Sequence, residues 1–382
     1  MNRKRNDILR EGIKQAGFQE INMEEILGRK PVNINLNEIA EFVKGKVILV
    51  TGAGGSIGSE LCRQIPNFNP EKLILLGRGE NSIFTIENEI KVKYPHISIV
   101  PVIADIQDKK RLEDVFAYYR PQIIFHAAAH KHVPLMELNP SEAIKNNVFG
   151  TRNVAEYALA YRAESFVYIS SDKAVNPSSI MGASKRLAEL MLQSMGKFKD
   201  TKFLIVRFGN VIGSRGSVIP LFLQQIKAGQ PITVTHPDMV RYFMTIPEAV
   251  QLVFQSGVMA KGGETFILDM GKPVKILDLA HNVIRLSGLE PNKDIKIVLT
   301  GIRPGEKLVE EMFTAEEKRI TVKHDSIYVC EPAALPEEHL HETLLKLEEM
   351  VSQKITFVIA DEIRSAIGQI IPGFQEEGVV HE

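Results

Sequence analysis

Hydroxyl, carboxylate and amine side chains stand together in the segment from Ser170 to Lys185. Ser171, Asp172 and Lys173 are consecutive, and Lys185 closes the segment. A serine hydroxyl beside a carboxylate and an amine supplies both proton donors and proton acceptors, as general acid–base catalysis requires. The alternative is a solvated polar loop followed by a solvated helical lysine, so the neighbouring elements must decide between the two.

The apolar run Phe166–Ile169 before this segment predicts a buried strand, and Arg186–Leu192 after it predicts a helix. In an open α/β sheet, ligands bind at the carboxyl ends of the strands. We therefore expect the polar segment to lie at a ligand-binding edge. Lys185 lies four residues after Met181, which places the two side chains on one helix face.

A glycine-rich turn follows the first strand-like run, Val47–Val50. The turn reads Thr-Gly-Ala-Gly-Gly-Ser-Ile-Gly over residues 51–58 and leads into a helix from Ser59. Glycines allow backbone amides at a helix N-terminus to approach a pyrophosphate, so this context indicates dinucleotide binding rather than a purely structural turn. The candidate cofactor-binding residues are Gly52, Gly55, Ser56, Ile57 and Gly58.

The next predicted strand, Lys72–Leu76, ends in Gly-Arg-Gly-Glu. An acid at this place would hold an NAD ribose, whereas an arginine suits the 2′-phosphate of NADP. Arg78 therefore favours NADP, with NAD still possible. The alternative is a solvated Arg78, with Glu80 reaching the ribose.

Strands and helices continue to alternate to residue 207, which predicts a doubly wound (Rossmann) parallel sheet of the α/β class. Strand ends along this series supply further cofactor-binding candidates: Asp105 and Ile106 near the adenine, and Ala127, Ala128 and Ala129 near the ribose and nicotinamide. The cluster His130-Lys131-His132 lacks a cysteine or paired carboxylate to complete a ligand set, so we expect no metal.

Beyond residue 209 the pattern becomes irregular, which indicates a smaller α/β region for substrate binding. Arg241 and Arg303 suit a diphosphate, and Glu306 suits ribose hydroxyls, although each could be an ordinary surface ion pair. The predicted division is an N-terminal extension at 1–45, a dinucleotide-binding domain at 46–209 with 244–269 returning to it, a mainly substrate-binding region at 210–333, and a helical tail at 334–382.

The composition of the chain limits its class of partner. Its 382 residues are 44% hydrophobic and carry a formal net charge of −1, so neither nucleic acid nor an anionic membrane is an expected partner. Two cysteines, Cys62 and Cys330, give no disulfide framework, and no apolar run is long enough for a membrane span. These features predict a cytoplasmic location.

The glycine-rich turn, the segment Asn147–Thr151 and Lys185 together resemble the extended short-chain dehydrogenase/reductase superfamily. More narrowly, five motifs resemble the UDP-N-acetylglucosamine 4,6-dehydratases of bacterial surface-polysaccharide pathways: His126–Pro134, Ser171–Pro177, Met181–Lys185, Arg241–Met244 and Arg303–Lys307. Three features depart from the long members of that family or from its superfamily. The membrane helices of the long members are not seen, Arg78 stands where they usually have an acid, and Met181 replaces the superfamily tyrosine.

This resemblance implies a hydro-lyase acting on a UDP-sugar, and Arg78 makes NADP(H) the expected cofactor. The methionine is shared by members that retain the C5 configuration, so the chain resembles a soluble version of that type. Ser171 would then lie beside the 4-hydroxyl, with Asp172 as proton acceptor and later acid, and Lys173 as C5 base. Which of Asp172 and Lys173 performs which step stays open. Lys185 would hold the nicotinamide ribose, and homo-oligomers (dimers or hexamers) are typical of the family.

The substrate-binding candidates that the resemblance implies are Lys131, Asn147, Asn210, Arg241, Arg303 and Glu306. Two other functions compete with dehydration. A nucleotide-sugar 4-epimerase needs no acid for the 6-hydroxyl, so the Asp172-Lys173 pair argues against it. A non-catalytic NADP(H)-binding protein would explain the missing tyrosine, but the retained Lys185, Asp172 and Lys173 argue against that function.

Overall fold

The computed structural model describes residues 32, 34–196, 200–315, 317–320, 324–331, 337–352, 360–371 and 373–374. Most of the predicted N-terminal extension lies outside these residues, as do parts of the predicted C-terminal tail.

The fold is built on a nine-stranded sheet. The strands of this sheet are β1 Val47–Thr51, β2 Lys72–Gly77, β3 Ser98–Ile103, β4 Ile123–His126, β5 Ser165–Ile169, β6 Lys202–Arg207, β11 Thr265–Leu268, β14 Lys318–Ile320 and β15 Ile327–Glu331. Their spatial order is β3-β2-β1-β4-β5-β6-β11-β15-β14. The pairs from β3 through β11 are parallel, whereas β15 and β14 join antiparallel. The predicted doubly wound sheet is confirmed.

The helices alternate with these strands, as a parallel sheet requires. They are α1 Leu36–Val43, α2 Ser56–Gln64, α3 Glu80–Lys93, α4 Lys109–Tyr119, α5 Val133–Leu138, α6 Pro140–Ala143, α7 Thr151–Ala160, α8 Ile180–Met195, α9 Val218–Lys227, α10 Ile246–Met259, α11 Ile276–Leu286, α12 Glu337–Ser352 and α13 Ala360–Gly368. A π-helix, Ile144–Gly150, joins α6 to α7.

The described chain divides into two compact units. The larger unit comprises residues 32–208, 249–269 and 311–374, and contains the nine-stranded sheet. The described residues of segment 311–331, predicted with the substrate-binding region, lie in this unit because β15 pairs with β11 along Thr265–Leu268. Strands β1, β4 and β5 are buried at every position, which explains why their sequences are mostly apolar.

The smaller unit comprises residues 209–248 and 270–310. Its short strands pair two by two: β7 Asn210–Val211 with β10 Phe243–Met244, β9 Val240–Arg241 with β12 Val274–Lys275, and β8 Ile232–Val234 with β13 Ile297–Leu299. Helices α9 and α11 bury their apolar faces in a core that includes Phe222 and Val283. Across the ranges that the structure describes, no helix is both long and apolar enough to cross a membrane.

Candidate active site

The glycine-rich turn connects β1 to α2 by a close backbone approach. Gly52 has a φ of +65°, and a Cβ there would lie 2.8 Å from the backbone of Ala127. A Cβ on Gly58 would lie 2.1 Å from the carbonyl oxygen of Gly52. The N-cap of α2 is Gly55, which offers no side-chain hydrogen bond to the first amides of the helix. This geometry fits a pyrophosphate, because the helix N-terminus presents N–H groups without a side chain in front of them.

Arg78 and Asp105 follow neighbouring parallel strands and form an ion pair. The guanidinium of Arg78 lies 3.3 Å from Asp105 Oδ2, and 68% of the arginine side chain is exposed. Asp105 Oδ1 accepts a hydrogen bond from the amide of Gln107 at 3.0 Å. The two cofactor-binding candidates are therefore adjacent, and the exposed guanidinium can reach a phosphate group.

The remaining cofactor candidates line the same edge of the sheet. Ile106 is buried, and a Cβ on Gly150 would lie 2.7 Å from its side chain, so the π-helix packs tightly here. Ala127 and Ala128 are half-buried and Ala129 is exposed after the end of β4. Small side chains at these positions keep the edge open beside the glycine-rich turn.

Ser171, Asp172 and Lys173 form one hydrogen-bonded group after the end of β5. Ser171 Oγ donates to Asp172 Oδ1 at 2.8 Å, and Lys173 Nζ lies 3.0 Å from the same oxygen. Asp172 is fully buried, and its Oδ2 has no hydrogen-bond partner among the described residues. A buried carboxylate oxygen without a partner is costly, so the position of this carboxylate does not serve the stability of the fold.

Lys185 projects from α8 toward β5. Its Nζ donates to the carbonyl of Ile169 at 2.7 Å and lies 4.1 Å from the ring centre of Tyr168. Burial lowers the pKa of Lys185 to about 7, although the nearby carboxylate of Glu189 acts to raise it. An amine in this environment can change its protonation state near neutral pH.

Met181 lies one helical turn before Lys185 and is 2% exposed. Its thioether cannot ionise, so Met181 cannot transfer a proton as the superfamily tyrosine would at this position. The carbonyl of Met181 accepts from Ser184 Oγ at 2.7 Å, and Ser184 in turn accepts from Asn147.

Asn147, on the π-helix, uses its whole amide within the protein. Its Nδ2 donates to the carbonyl of His130 and to Ser184, and its Oδ1 accepts from the amide of His130. These bonds hold the loop after β4 against α8. The contact with a substrate predicted for Asn147 stays a prediction, as does that for Lys131, which is exposed in the same loop.

Sequence reasoning missed His126, which is buried between two threonines. Its Nδ1 lies 2.8 Å from Thr51 Oγ1 and its Nε2 lies 3.0 Å from Thr151 Oγ1. Burial and the nearby Lys185 lower the pKa of His126 to about 3. Thr151 already donates to the carbonyl of Asn147, so Nε2 must carry the proton and Nδ1 must accept from Thr51. No spacing in the sequence links residues so far apart.

The smaller unit holds the arginine pair predicted for a diphosphate. Glu306 lies between them: Arg303 Nη2 donates to Glu306 Oε1 at 2.9 Å, and Arg241 Nη2 lies 3.8 Å from the same oxygen. Burial acts to raise the pKa of Glu306, but its pairing with the arginines outweighs this and lowers the pKa. Arg241 is buried, whereas Arg303 is exposed. Asn210 begins β7, which pairs with β10 of the same unit.

Within the ranges that the structure describes, no group of three or more His, Cys, Asp or Glu side chains is arranged to hold a metal ion.

The comparisons with known proteins decide the family. A family model described as "Polysaccharide biosynthesis protein" matches residues 48–332. The chain belongs to this polysaccharide biosynthesis family. The resemblance to UDP-N-acetylglucosamine 4,6-dehydratases is confirmed by a relative of that name.

Three members or neighbours illustrate the range of similarity. The capsular polysaccharide biosynthesis protein CapD of Staphylococcus aureus is 55% identical over 84% of this chain and 54% of its own. The chain thus spans about half the length of that relative. The UDP-N-acetylglucosamine 4,6-dehydratase (inverting) of Campylobacter jejuni is 34% identical over 76% of this chain and 84% of its own. The solved structure of Pen from Bacillus thuringiensis superposes with a TM-score of 0.70 at 36% identity, covering 77% of this chain and 89% of its own.

Proposed function

We propose that the protein is a UDP-N-acetylglucosamine 4,6-dehydratase that uses NADP(H) and retains the C5 configuration. The buried carboxylate of Asp172, which contacts both Ser171 and Lys173, is the observation that carries this proposal. An epimerase has no use for an acid at the 6-hydroxyl, whereas dehydration needs one. The Campylobacter jejuni relative carries the dehydratase name, which supports dehydration, but that name specifies inversion and gives no support to retention at C5. The family model is described as a polysaccharide biosynthesis protein.

The reaction removes one water across C5 and C6 while C4 becomes a ketone. A bound nicotinamide dinucleotide supplies the hydride acceptor for C4 and the hydride donor for C6, so no net oxidation occurs. Ser171 orients the 4-hydroxyl, whose proton passes to Asp172. The 4-ketone acidifies the C5 proton, which Lys173 removes. Asp172 then returns its proton to the departing 6-hydroxyl, which leaves as water. The proton held by Lys173 would return to C5 when hydride reaches C6, so that C5 carries hydrogen again in the product.

The order of proton transfers follows from the contacts of Asp172. Its Oδ1 accepts from the half-buried Ser171, so a proton of the 4-hydroxyl can pass through the Ser171 hydroxyl to that oxygen, whereas the buried Oδ2 is out of reach of a substrate. Once Asp172 is protonated it no longer stabilises the ammonium of Lys173, which favours the neutral amine that a C5 base requires. The carboxylate and the amine therefore act in sequence.

Binding of the two ligands is assigned to two sets of residues. The glycine-rich turn and Arg78 would hold NADP, with Lys185 on the nicotinamide ribose. Arg241 and Arg303 would hold the diphosphate of the substrate, with Asn210 beside them. Glu306 would need to turn from its arginine partners to meet ribose hydroxyls. Assembly into homo-oligomers is part of the same proposal.

The proposed activity is tested by incubating the protein with UDP-N-acetylglucosamine and following the mass of the sugar nucleotide. We expect the loss of one water, and retention at C5 when the product is analysed by NMR. Asp172→Asn should abolish the loss of water. If the 4-epimer appears at unchanged mass, the protein is an epimerase and not a dehydratase. If the sugar nucleotide is not converted at all, the protein is a non-catalytic binding protein.

The cofactor preference is tested at Arg78. Arg78→Asp replaces a cation suited to a 2′-phosphate by an acid suited to a ribose, so NADP affinity should fall about ten-fold or more relative to NAD. Titration of both dinucleotides against the wild type and the variant measures this. A wild type that already prefers NAD contradicts the role given to Arg78.

A further inference from the structure

Two adjacent serines leave the end of β5 in different directions. Ser171 Oγ joins the candidate catalytic group through Asp172 Oδ1. Ser170 is buried, and its Oγ donates to Glu189 Oε1 at 2.6 Å. A carboxylate acceptor makes this one of the stronger kinds of hydrogen bond. The turn that carries the catalytic group is thus bound to α8 through the Ser170–Glu189 hydrogen bond.

Helix α8 holds the end of β5 with two residues of one face. Lys185 donates to the carbonyl of Ile169, and Glu189, one turn later, accepts from Ser170. Residues four apart on a helix are surface neighbours, so they can contact consecutive residues of a strand. Any shift of α8 relative to β5 would break both contacts together.

Glu189 is also tied to the strand on the other side of the turn. Arg207 of β6 donates from Nε to Glu189 Oε1 at 2.7 Å and from Nη2 to Oε2 at 2.6 Å. The residues flanking Arg207 accept from the turn itself: Ser170 N donates to Val206 O, and Asp172 N donates to Phe208 O. Glu189 therefore joins the catalytic turn, its helix and its neighbouring strand.

The charges around Glu189 are balanced. Arg186 donates to Glu189 Oε2 at 3.0 Å, and Glu317 lies 2.8 Å from Arg207. Burial acts to raise the pKa of Glu189, but the attraction of Arg207 outweighs it and the pKa is lowered. Buried ion clusters are often no more stable than apolar residues of the same volume, so stability alone does not require this one.

We propose that Glu189 is a positioning residue that fixes the turn Ser170–Lys173 against the helix bearing Met181 and Lys185. This inference rests on the proposed function, because the groups it positions are those assigned to the reaction. Misplacement of a catalytic group by about 1 Å can cost on the order of a hundred-fold in rate. Glu189 itself touches neither the substrate nor the cofactor in this proposal.

Ser170→Ala is the sharpest test, because it cuts the link to the turn and leaves every charge in place. Glu189→Gln would leave two buried guanidinium groups with one carboxylate and could prevent folding. The matched control is Ser256→Ala, since Ser256 is also fully buried and its Oγ donates to the carbonyl of Leu252 within α10. Both variants lose one buried serine hydroxyl.

We expect Ser170→Ala to lower kcat about ten-fold or more while KM for the UDP-sugar stays within about two-fold. In the free protein, the amides of Ser170–Lys173 should exchange with deuterium about ten-fold faster than in the wild type. Ser256→Ala should show neither change.

Equal kcat and equal exchange in Ser170→Ala and Ser256→Ala would overturn the proposal. Faster exchange with unchanged kcat would overturn it as well, since the position of the turn would then not matter to the reaction. Amide exchange needs no substrate or cofactor. A wild type that removes no water would therefore refute the proposed function, while exchange at the turn would still decide whether Glu189 holds it.

Discussion

At the scale of single residues, Lys185 combines a buried site with a titratable charge. Its pKa falls to about 7 from an ordinary value of 10.5. Below about pH 7 the amine is charged in both the folded and the unfolded chain, so the cost of burying it is fully present. Between about pH 7 and pH 10.5 the amine is neutral in the folded chain but still charged in the unfolded chain, and the free energy spent on burying it falls as the pH rises. This group therefore makes the fold more stable at high pH.

Lys185→Met should remove this pH dependence. We subtract the free energy of unfolding of the wild type from that of the variant. We expect this difference to be larger near pH 6 than near pH 10, by on the order of a few kcal/mol, so the variant gains stability relative to wild type at the lower pH. Lost contacts with Ile169 and Tyr168 shift both values equally, so the difference between the two pH values isolates the charge. Chemical denaturation at both pH values measures it, and parallel curves would show that Lys185 is not desolvated.

Met181 gives the second residue-scale prediction. Because a thioether carries no proton, Met181→Ala should retain activity within about ten-fold of wild type, whereas Asp172→Ala should lose a hundred-fold or more. Some unfolding free energy, on the order of 2–3 kcal/mol, should be lost with the buried side chain. Turnover of both variants with UDP-N-acetylglucosamine is the measurement. Equal losses in two folded variants would contradict the proton path through Asp172.

The sequence was informative at this scale only where spacing is local. Ser171, Asp172 and Lys173 are adjacent, and Met181 and Lys185 share a helix face, so their grouping was predictable. Glu189 looked like any helical carboxylate, since its partner Arg207 comes from another strand. Contacts of that kind depend on sheet order, which a single sequence does not display.

At the scale of elements, the start of α8 is tied to the C-terminal helices. Glu137 Oε1 accepts from the amide of Ile180, the first residue of α8, at 2.7 Å. Glu137 Oε2 accepts from Arg364 of α13. A carboxylate at a helix N-terminus accepts a hydrogen bond from an amide that has no partner within the helix. Its negative charge also interacts favourably with the positive end of the helix dipole.

Glu137→Gln should lower the free energy of unfolding by about 1–2 kcal/mol, because it removes the charge that pairs with Arg364 and favours the helix N-terminus. Glu348→Gln is the matched control. Glu348 pairs with Arg152 and is 45% exposed, so its loss should cost no more than about 1 kcal/mol. Denaturant unfolding of the two variants provides the comparison. A larger loss in Glu348→Gln would show that Glu137 does not anchor α8.

The C-terminal helices show how far pattern alone reaches. The apolar side chains of α12, which include Leu340, Leu344 and Leu347, are buried in the core of the larger unit. The sequence pattern predicted a helical tail, but it could not predict where the tail packs. The antiparallel pairing of β15 with β11 could not be predicted either, because the two strands are far apart in the chain, with α11 between them.

At the scale of the whole molecule, the candidate residues fall into two groups by unit. The proton-transfer and dinucleotide candidates all belong to the larger unit, whereas Arg241, Arg303 and Glu306 belong to the smaller. Chain order predicted this grouping approximately, since regular strand–helix alternation stops near residue 209. If the larger unit performs the chemical step and the smaller unit binds the diphosphate, variants of the two units should change different kinetic constants.

Variants should therefore divide by kinetic class. Arg303→Met removes an exposed guanidinium from the diphosphate set, so KM for the UDP-sugar and the dissociation constant of UDP should both rise about ten-fold, with kcat changed little. Lys173→Ala removes the C5 base, so kcat should fall a hundred-fold or more with UDP affinity retained. Arg285→Met is the control, because Arg285 is an exposed arginine of the same unit that lies on α11. Calorimetric titration with UDP and steady-state kinetics separate the two effects. If Arg303→Met binds UDP as tightly as Arg285→Met does, the arginine pair does not hold the diphosphate, and the ion pair with Glu306 is its whole function.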